Sequence, residues 1–156
     1  MHKAVAVVMD PIEDIHTEKD TSFALMLEAQ RRGYQLYYLE MSDLYLDNGR
    51  AFASTKQLKV QRDPQNWFEL AEEETIALSE LDVVLMRKDP PFDTEYIYAT
   101  YILERAEDEG CLIVNKPQSL RDANEKLFTA WFSEFTPDTL VTRSQQQIRH
   151  FLAEHG

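Results

Sequence analysis

The chain has 156 residues, enough for one domain with a sizeable core, and its 44% hydrophobic and 11% aromatic content is that of a globular protein. With 28 acidic residues against 16 Lys and Arg it carries a net charge of −12, which argues against nucleic acid or an anionic membrane surface as a partner. No apolar segment approaches the roughly 20 residues that span a bilayer, and the single cysteine, Cys111, excludes an internal disulfide and suits a reducing cytoplasm.

Lys3 to Met9 reads as a buried strand, because alanine and valine run on without alternation. Asp10 follows at once with no small-residue cleavage site, so the start is read as a strand and not as a signal peptide. Asp20 to Arg32 has helical spacing at Phe23, Met26, Leu27 and Gln30, with Asp20 placed to cap its start and Gly33 its end. Tyr34 to Leu39 is a second strand, completing a βαβ unit. In "LYLDNGRAFAS", Asn48-Gly49 between two extended runs signals an antiparallel hairpin, with "KQLKVQR" extending its second arm.

Asn66 to Ser79 reads as a weak helix whose acidic run, Glu72 to Glu74, is a solvated face. Alternation then resumes: a strand over Asp82 to Met86, a helix over Thr94 to Glu109 closed by Gly110, and a strand over Cys111 to Val114, where Cys111 is expected to be a small buried hydrophobe. A turn of helix follows, then a helix from about Asn124, a strand near Thr139 to Thr142, and a final helix. The expected fold is α/β, three-layer and Rossmann-like: a mainly parallel sheet flanked by helices, with an antiparallel hairpin insertion.

In such sheets ligands bind beyond the carboxyl ends of the strands. Asp10, Glu40, Arg87-Lys88-Asp89 and Asn115-Lys116 stand at those four ends, an arrangement that solvated strand ends alone also explain. The sharpest stretch is "MRKDPPFDTEY". Arg87 offers a rigid fork suited to a carboxylate or phosphate, Pro90 and Pro91 stiffen the turn, and Asp93 or Thr94 caps the next helix. Residue types leave an Arg87–Asp89 or Arg87–Asp93 surface pair equally open. The hydroxyls of Thr21 and Ser22 could take an anion, although Asp20 would repel it and a plain cap accounts for the segment. His2, His16, His150 and His155 show no metal-ligand spacing, and four glycines build no phosphate-cradling loop. No catalytic residue and no metal ligand is assigned.

The strings "VVMDPIEDI", "DTSFALMLEAQRRGY", "MRKDPPFDTEYIYATYILERAEDEG", "LIVNKPQSLRDANEKLFTAWF" and "TPDTLVTR" resemble, in order and over nearly the whole chain, the bacterial glutathione synthetases of the ATP-grasp superfamily. The resemblance implies a pre-ATP-grasp, substrate-cleft domain over residues 1–123 and the start of an ATP-grasp region over 124–156. It implies an ATP-dependent carboxylate–amine ligase that uses ATP with Mg²⁺ or Mn²⁺ to join γ-glutamylcysteine and glycine through an acyl phosphate, in a cytoplasmic homotetramer. Lys126 in "NEKLF" is similar to the family's nucleotide-reaching lysine, and Arg87 and Asn115 fall in motifs implying peptide contacts. The family's later nucleotide lysine, glycine-rich loop and metal-binding acids have no counterpart before "FLAEHG", so a truncated, inactive fragment with no bound cofactor is expected. Two other readings stay open: a receiver-like phosphoryl-accepting module, mimicked by Asp10, Asp89 and Lys116-Pro117, and an oligomer-interface domain built on Tyr96, Tyr98 and Tyr101.

Overall fold

The computed structural model describes residues 3–63, 65–89, 91–123 and 126–156. In chain order the elements are β1 (Ala4–Val8), α1 (Thr21–Arg31), β2 (Gln35–Leu39), β3 (Leu44–Asp47), β4 (Arg50–Val60), β5 (Phe68–Ala77), β6 (Val83–Met86), α2 (Thr94–Asp108), β7 (Leu112–Val114), α3 (Pro117–Asp122) and α4 (Gln145–His155). They fall into two compact units, Met1–Arg121 and Asp122–Gly156.

The first unit holds a seven-stranded sheet. β2, β1, β6 and β7 lie side by side and parallel, while β4 runs antiparallel to β2, β3 and β5. The mainly parallel α/β architecture and the hairpin insertion therefore hold. Successive strand residues point to opposite faces, and each face has its own core. Val5, Val7, Leu36 and Tyr38 meet Phe23 and Met26 of α1. Ala6, Val8, Tyr37, Leu39, Val84 and Met86 meet Tyr96, Ala99 and Leu103 of α2. Helix, sheet and helix make three layers.

Local signals place both helices. The Asp20 carboxylate accepts from the Phe23 amide at 2.8 Å and the Asp93 carboxylate from the Tyr96 amide at 2.9 Å, each satisfying an orphan N–H of a first turn. The Asn48-Gly49 turn joins β3 to β4 with φ of 48° and 80°, the left-handed pair that matches strand twist.

Three expectations are corrected. The segment 66–79 is not a helix: Phe68–Ala77 forms β5 along the open edge of β4, with Ser54 opposite Thr75 and Lys56 opposite Glu73. Pairing to a long neighbour outweighs the helix propensity of the glutamates, and their exposed charges guard the sheet edge against further pairing. In the second unit Leu127–Phe135 is 3-10 helix, broken at Phe132 (φ −126°, ψ 45°), and not α-helix; Asn124 lies outside the described residues. Three aromatic rings crowd this turn, Phe128 stacking on Trp131 and meeting Phe132 edge-on, and such side chains lose rotamer freedom in an α-helix. Thr139 to Thr142 forms no strand; Val141 is 66% exposed and no neighbouring strand offers a ladder among the described residues. The last helix, α4, forms as expected, capped by Ser144.

Candidate functional site

Register brings the four strand ends to one edge. Val8 of β1 pairs with Leu39 of β2 and with Met86 of β6, and Leu85 of β6 pairs with Val114 of β7. Asp10, Glu40, Arg87 and Asn115 thus emerge from neighbouring strands on the same side of the sheet. β1 is flanked by β2 and β6, with α1 packed on one face and α2 on the other. The switch in connection direction at β1 and β6 opens a crevice beyond their carboxyl ends.

On the α1 side, Arg87 continues the parity of Val83 and Leu85. Its Nε donates to Ser22 Oγ at 3.1 Å and its Nη2 to Thr21 Oγ1 at 2.7 Å. Both open readings of Arg87 as a surface pair fail: among the described residues it makes no ion pair with Asp89 or Asp93. A guanidinium has five N–H donors, so three remain available after the two hydroxyls have fixed its plane. That is the arrangement a carboxylate or phosphate ligand needs.

The neighbouring lysine is held differently. Lys88 Nζ lies 2.7 Å from Asp10 Oδ1 and donates to the Asp89 carbonyl at 2.6 Å. Asp10 Oδ2 accepts from the Asp89 amide at 3.2 Å. Both carboxylate oxygens of Asp10 are therefore engaged by the turn after β6. Of the two prolines expected to stiffen that turn, Pro90 lies outside the described residues.

Glu40 is also engaged: it accepts from Tyr38 Oη at 2.7 Å, and its side chain and that of Asp43 form a reciprocal capping box over residues 40–43. The phenol of Tyr38, almost fully buried, is pushed well above its ordinary pKa by burial and then by the Glu40 carboxylate it donates to. Asn115 is exposed just past β7, after a cis Val114–Asn115 peptide, and the chain then enters α3. Lys126 belongs to the second unit, exposed at the head of the 3-10 helix, where its carbonyl accepts from Thr129 Oγ1. Among the described residues no three His, Cys, Asp or Glu side chains are grouped to hold a metal ion.

The model of the prokaryotic glutathione synthetase N-terminal domain matches residues 4–121. The chain belongs to that family. The model of the prokaryotic glutathione synthetase ATP-grasp domain matches residues 125–156. Curated glutathione synthetases from Vibrio parahaemolyticus, Vibrio cholerae and Salmonella typhimurium are 66%, 65% and 64% identical to the chain over 152 residues. Each alignment covers 97% of this chain and 48% of the relative, so the chain spans about half the length of the curated relatives it matches. The receiver-like alternative finds no support in these matches.

Within this glutathione synthetase N-terminal domain, the motif around Arg87 was visible in the sequence, but its partners were not. Thr21 and Ser22 read as part of a plain helix cap. Nothing local to Asp10 announces Lys88, which is 78 residues away and meets it only because β1 and β6 are adjacent.

Proposed function

We propose that the chain is the amino-terminal part of an ATP-dependent ligase that joins γ-glutamylcysteine to glycine and gives glutathione. The observation that carries this reading is the 64–66% identity, over 97% of the chain, to proteins named glutathione synthetase. In the reaction an oxygen of the cysteinyl carboxylate attacks the γ-phosphorus of ATP and ADP leaves. The glycine amine then attacks the acyl carbon, phosphate departs, and the amine gives up a proton.

In this reading residues 1–123 form the substrate-cleft domain and 124–156 open the ATP-grasp region. Arg87, held by Thr21 and Ser22, turns its remaining donors toward a peptide carboxylate, and the Asn115 amide contacts the peptide from the next strand end. Lys126 reaches the nucleotide. ATP comes with Mg²⁺ or Mn²⁺, whose charge neutralises the triphosphate as the acyl phosphate forms. The working enzyme is a cytoplasmic homotetramer. No helix among the described residues is long and apolar enough to cross a membrane.

The test is a chimera that joins residues 1–156 to the remaining half of the Vibrio parahaemolyticus relative. It should release phosphate only with ATP, γ-glutamylcysteine and glycine together, whereas residues 1–156 alone should release none above background. Arg87→Lys, which keeps the charge and loses the fork, should raise KM for the peptide by about tenfold. An inactive chimera beside an active parent relative would overturn the ligase reading, and an unchanged KM would overturn the role of Arg87.

A further inference from the structure

α2 buries one face against the sheet and presents a second, patterned face to solvent. Tyr96, Ala99, Thr100, Leu103 and Ala106 are buried. On the other side run Glu95, Tyr98, Tyr101, Arg105 and Asp108, all exposed. They are three or four residues apart, the spacing that makes one stripe along a helix. Of the three tyrosines in α2 only Tyr96 is core; Tyr98 is 64% exposed and Tyr101 47%, with their rings 6.5 Å apart. β3 widens the stripe. Leu44 belongs to the core on the α2 face, so Leu46, two residues on, stands on the same face of the sheet, and it is 47% exposed.

The charges lie at the two ends of this apolar stripe, with opposite signs. Glu95, one turn before Tyr98, makes no hydrogen bond or ion pair among the described residues. Arg105, one turn after Tyr101, gives Nη1 to Asp108 and Nε to the Gly49 carbonyl, which leaves three of its five donors. Two copies of α2 packed in parallel would set Glu95 against Glu95 and Arg105 against Arg105, an arrangement that like charges oppose. An antiparallel pair about a two-fold axis level with Thr100 does the reverse. Glu95 and Arg105 lie equally far on either side of that level, so each Glu95 faces Arg105 of the other copy. Tyr98 and Ile102 are likewise equidistant and face each other across the pair, and the two Tyr101 rings meet beside the axis. The stripe is therefore complementary to itself in one orientation only, as an isologous contact requires.

We propose that this face of α2 is a docking surface for a second copy of the chain, paired antiparallel across a two-fold axis. Tyr98 and Tyr101 supply the apolar centre, and two Glu95–Arg105 pairs fix the direction. The stripe from Glu95 to Asp108 rises about 20 Å. Such a contact is at the small end of specific interfaces, with a dissociation constant on the order of 10–100 µM. It needs only the fold of the first unit and does not rest on the ligase reading.

The experiment is sedimentation of the 156-residue chain from about 5 to about 500 µM, a range that brackets this affinity. Monomer should convert to dimer across it. Tyr98→Ala removes the centre of the contact and should weaken association at least about tenfold. Glu95→Arg alone sets cation against cation, and Arg105→Glu alone sets carboxylate against carboxylate; each should weaken it roughly tenfold. An equimolar mixture of these two variants re-creates both opposite-charge pairs in the heterodimer and should associate within about threefold of the parent. A folding defect would give no such rescue. A chain that stays monomeric throughout, self-association indifferent to all three substitutions, or a mixture no tighter than either variant alone would each overturn the surface. A larger assembly that dissociates in each variant and re-forms in the mixture would uphold it.

Discussion

The Lys88 ammonium sits 2.7 Å from the Asp10 carboxylate, with side-chain exposures of 19% and 37%. The pair joins the end of β1 to the turn after β6, the two strands that frame the crevice. It is partly screened, so it should count for more than a surface pair and less than a buried one. Asp10→Ala removes the ion pair and the acceptor for the Asp89 amide together, and should lower stability by about 1–2 kcal/mol. Urea denaturation checks this. A midpoint equal to that of the parent would mean that the turn holds itself without Asp10.

α3 poses a related problem, because a six-residue helix does not hold by itself. Arg121 supplies the anchorage. Its Nη1 donates to Thr100 Oγ1 at 3.0 Å, its Nη2 to both Glu104 oxygens at 2.8 Å, and its guanidinium lies 4.4 Å from the Tyr101 ring centre. The Arg121 side chain is 10% exposed and that of Glu104 33%. Arg121→Met strands a part-buried carboxylate and should cost about 2 kcal/mol, below the range for a fully buried pair. The amides of residues 116–120 should then exchange faster with solvent, and Arg121→Lys should restore part of the protection. Unchanged exchange in the methionine variant would show that the buried Pro117 and the half-buried Leu120 suffice to seat the helix.

Much of this architecture could be read from the sequence because local chemistry and global fold agree. Asp20 and Asp93 cap where capping residues belong, and Gly33 and Gly110 close their helices with φ of 77° and 104°. The four apolar runs pair as parallel strands, and their polar ends share an edge. β5 was illegible for a physical reason: "AEEET" has the helix propensity of its glutamates and no alternation, and only the open edge of β4 makes it a strand. The strand expected near Thr139 fails in the opposite way, with β-branched residues but no partner among the described residues. In the crevice, the motif announced Arg87, whereas the pairing of Lys88 with Asp10 and of Arg87 with Thr21 and Ser22 exists only once β1, α1 and β6 are packed together.

At the end of α1, Arg31 donates twice to Glu28, at 2.7 and 2.8 Å, and Arg32 once, at 2.8 Å. Hydrogen bonds from Arg31 and then Arg32 hold the Glu28 carboxyl down to about 2, from an ordinary 4.5. A depressed carboxyl stabilises the fold above its unfolded pKa and stops doing so as pH falls through the folded one. The contribution is therefore complete above 4.5 and fades toward 2. A carbon-detected titration of the Glu28 side chain should have its midpoint near 2 and, in the Arg31→Gln, Arg32→Gln double variant, near 4.5. The difference in melting temperature between the two proteins should shrink through the same interval. A parent midpoint at the ordinary value would mean that solvent screens the cluster completely.

Cys111 lies just before β7 at 2% exposure, inside the core on the α2 face. Burial pushes its thiol up from 9.0 to about 11. Only the thiolate reacts with an alkylating agent, and at pH 8 a group of that pKa is ionised in about one molecule in a thousand. Native protein treated with iodoacetamide at pH 8 should therefore be modified at least two orders of magnitude more slowly than protein in concentrated urea, counting both the raised pKa and the lack of access. Mass spectrometry of timed samples gives both rates. Raising the pH to 9.5 should accelerate the native reaction roughly in step with thiolate content if access is open, and hardly at all if opening of the core is limiting. Comparable rates in native and denatured protein would show that the strand end carrying Cys111 is open to solvent, and that its thiol is not the core residue its burial makes it.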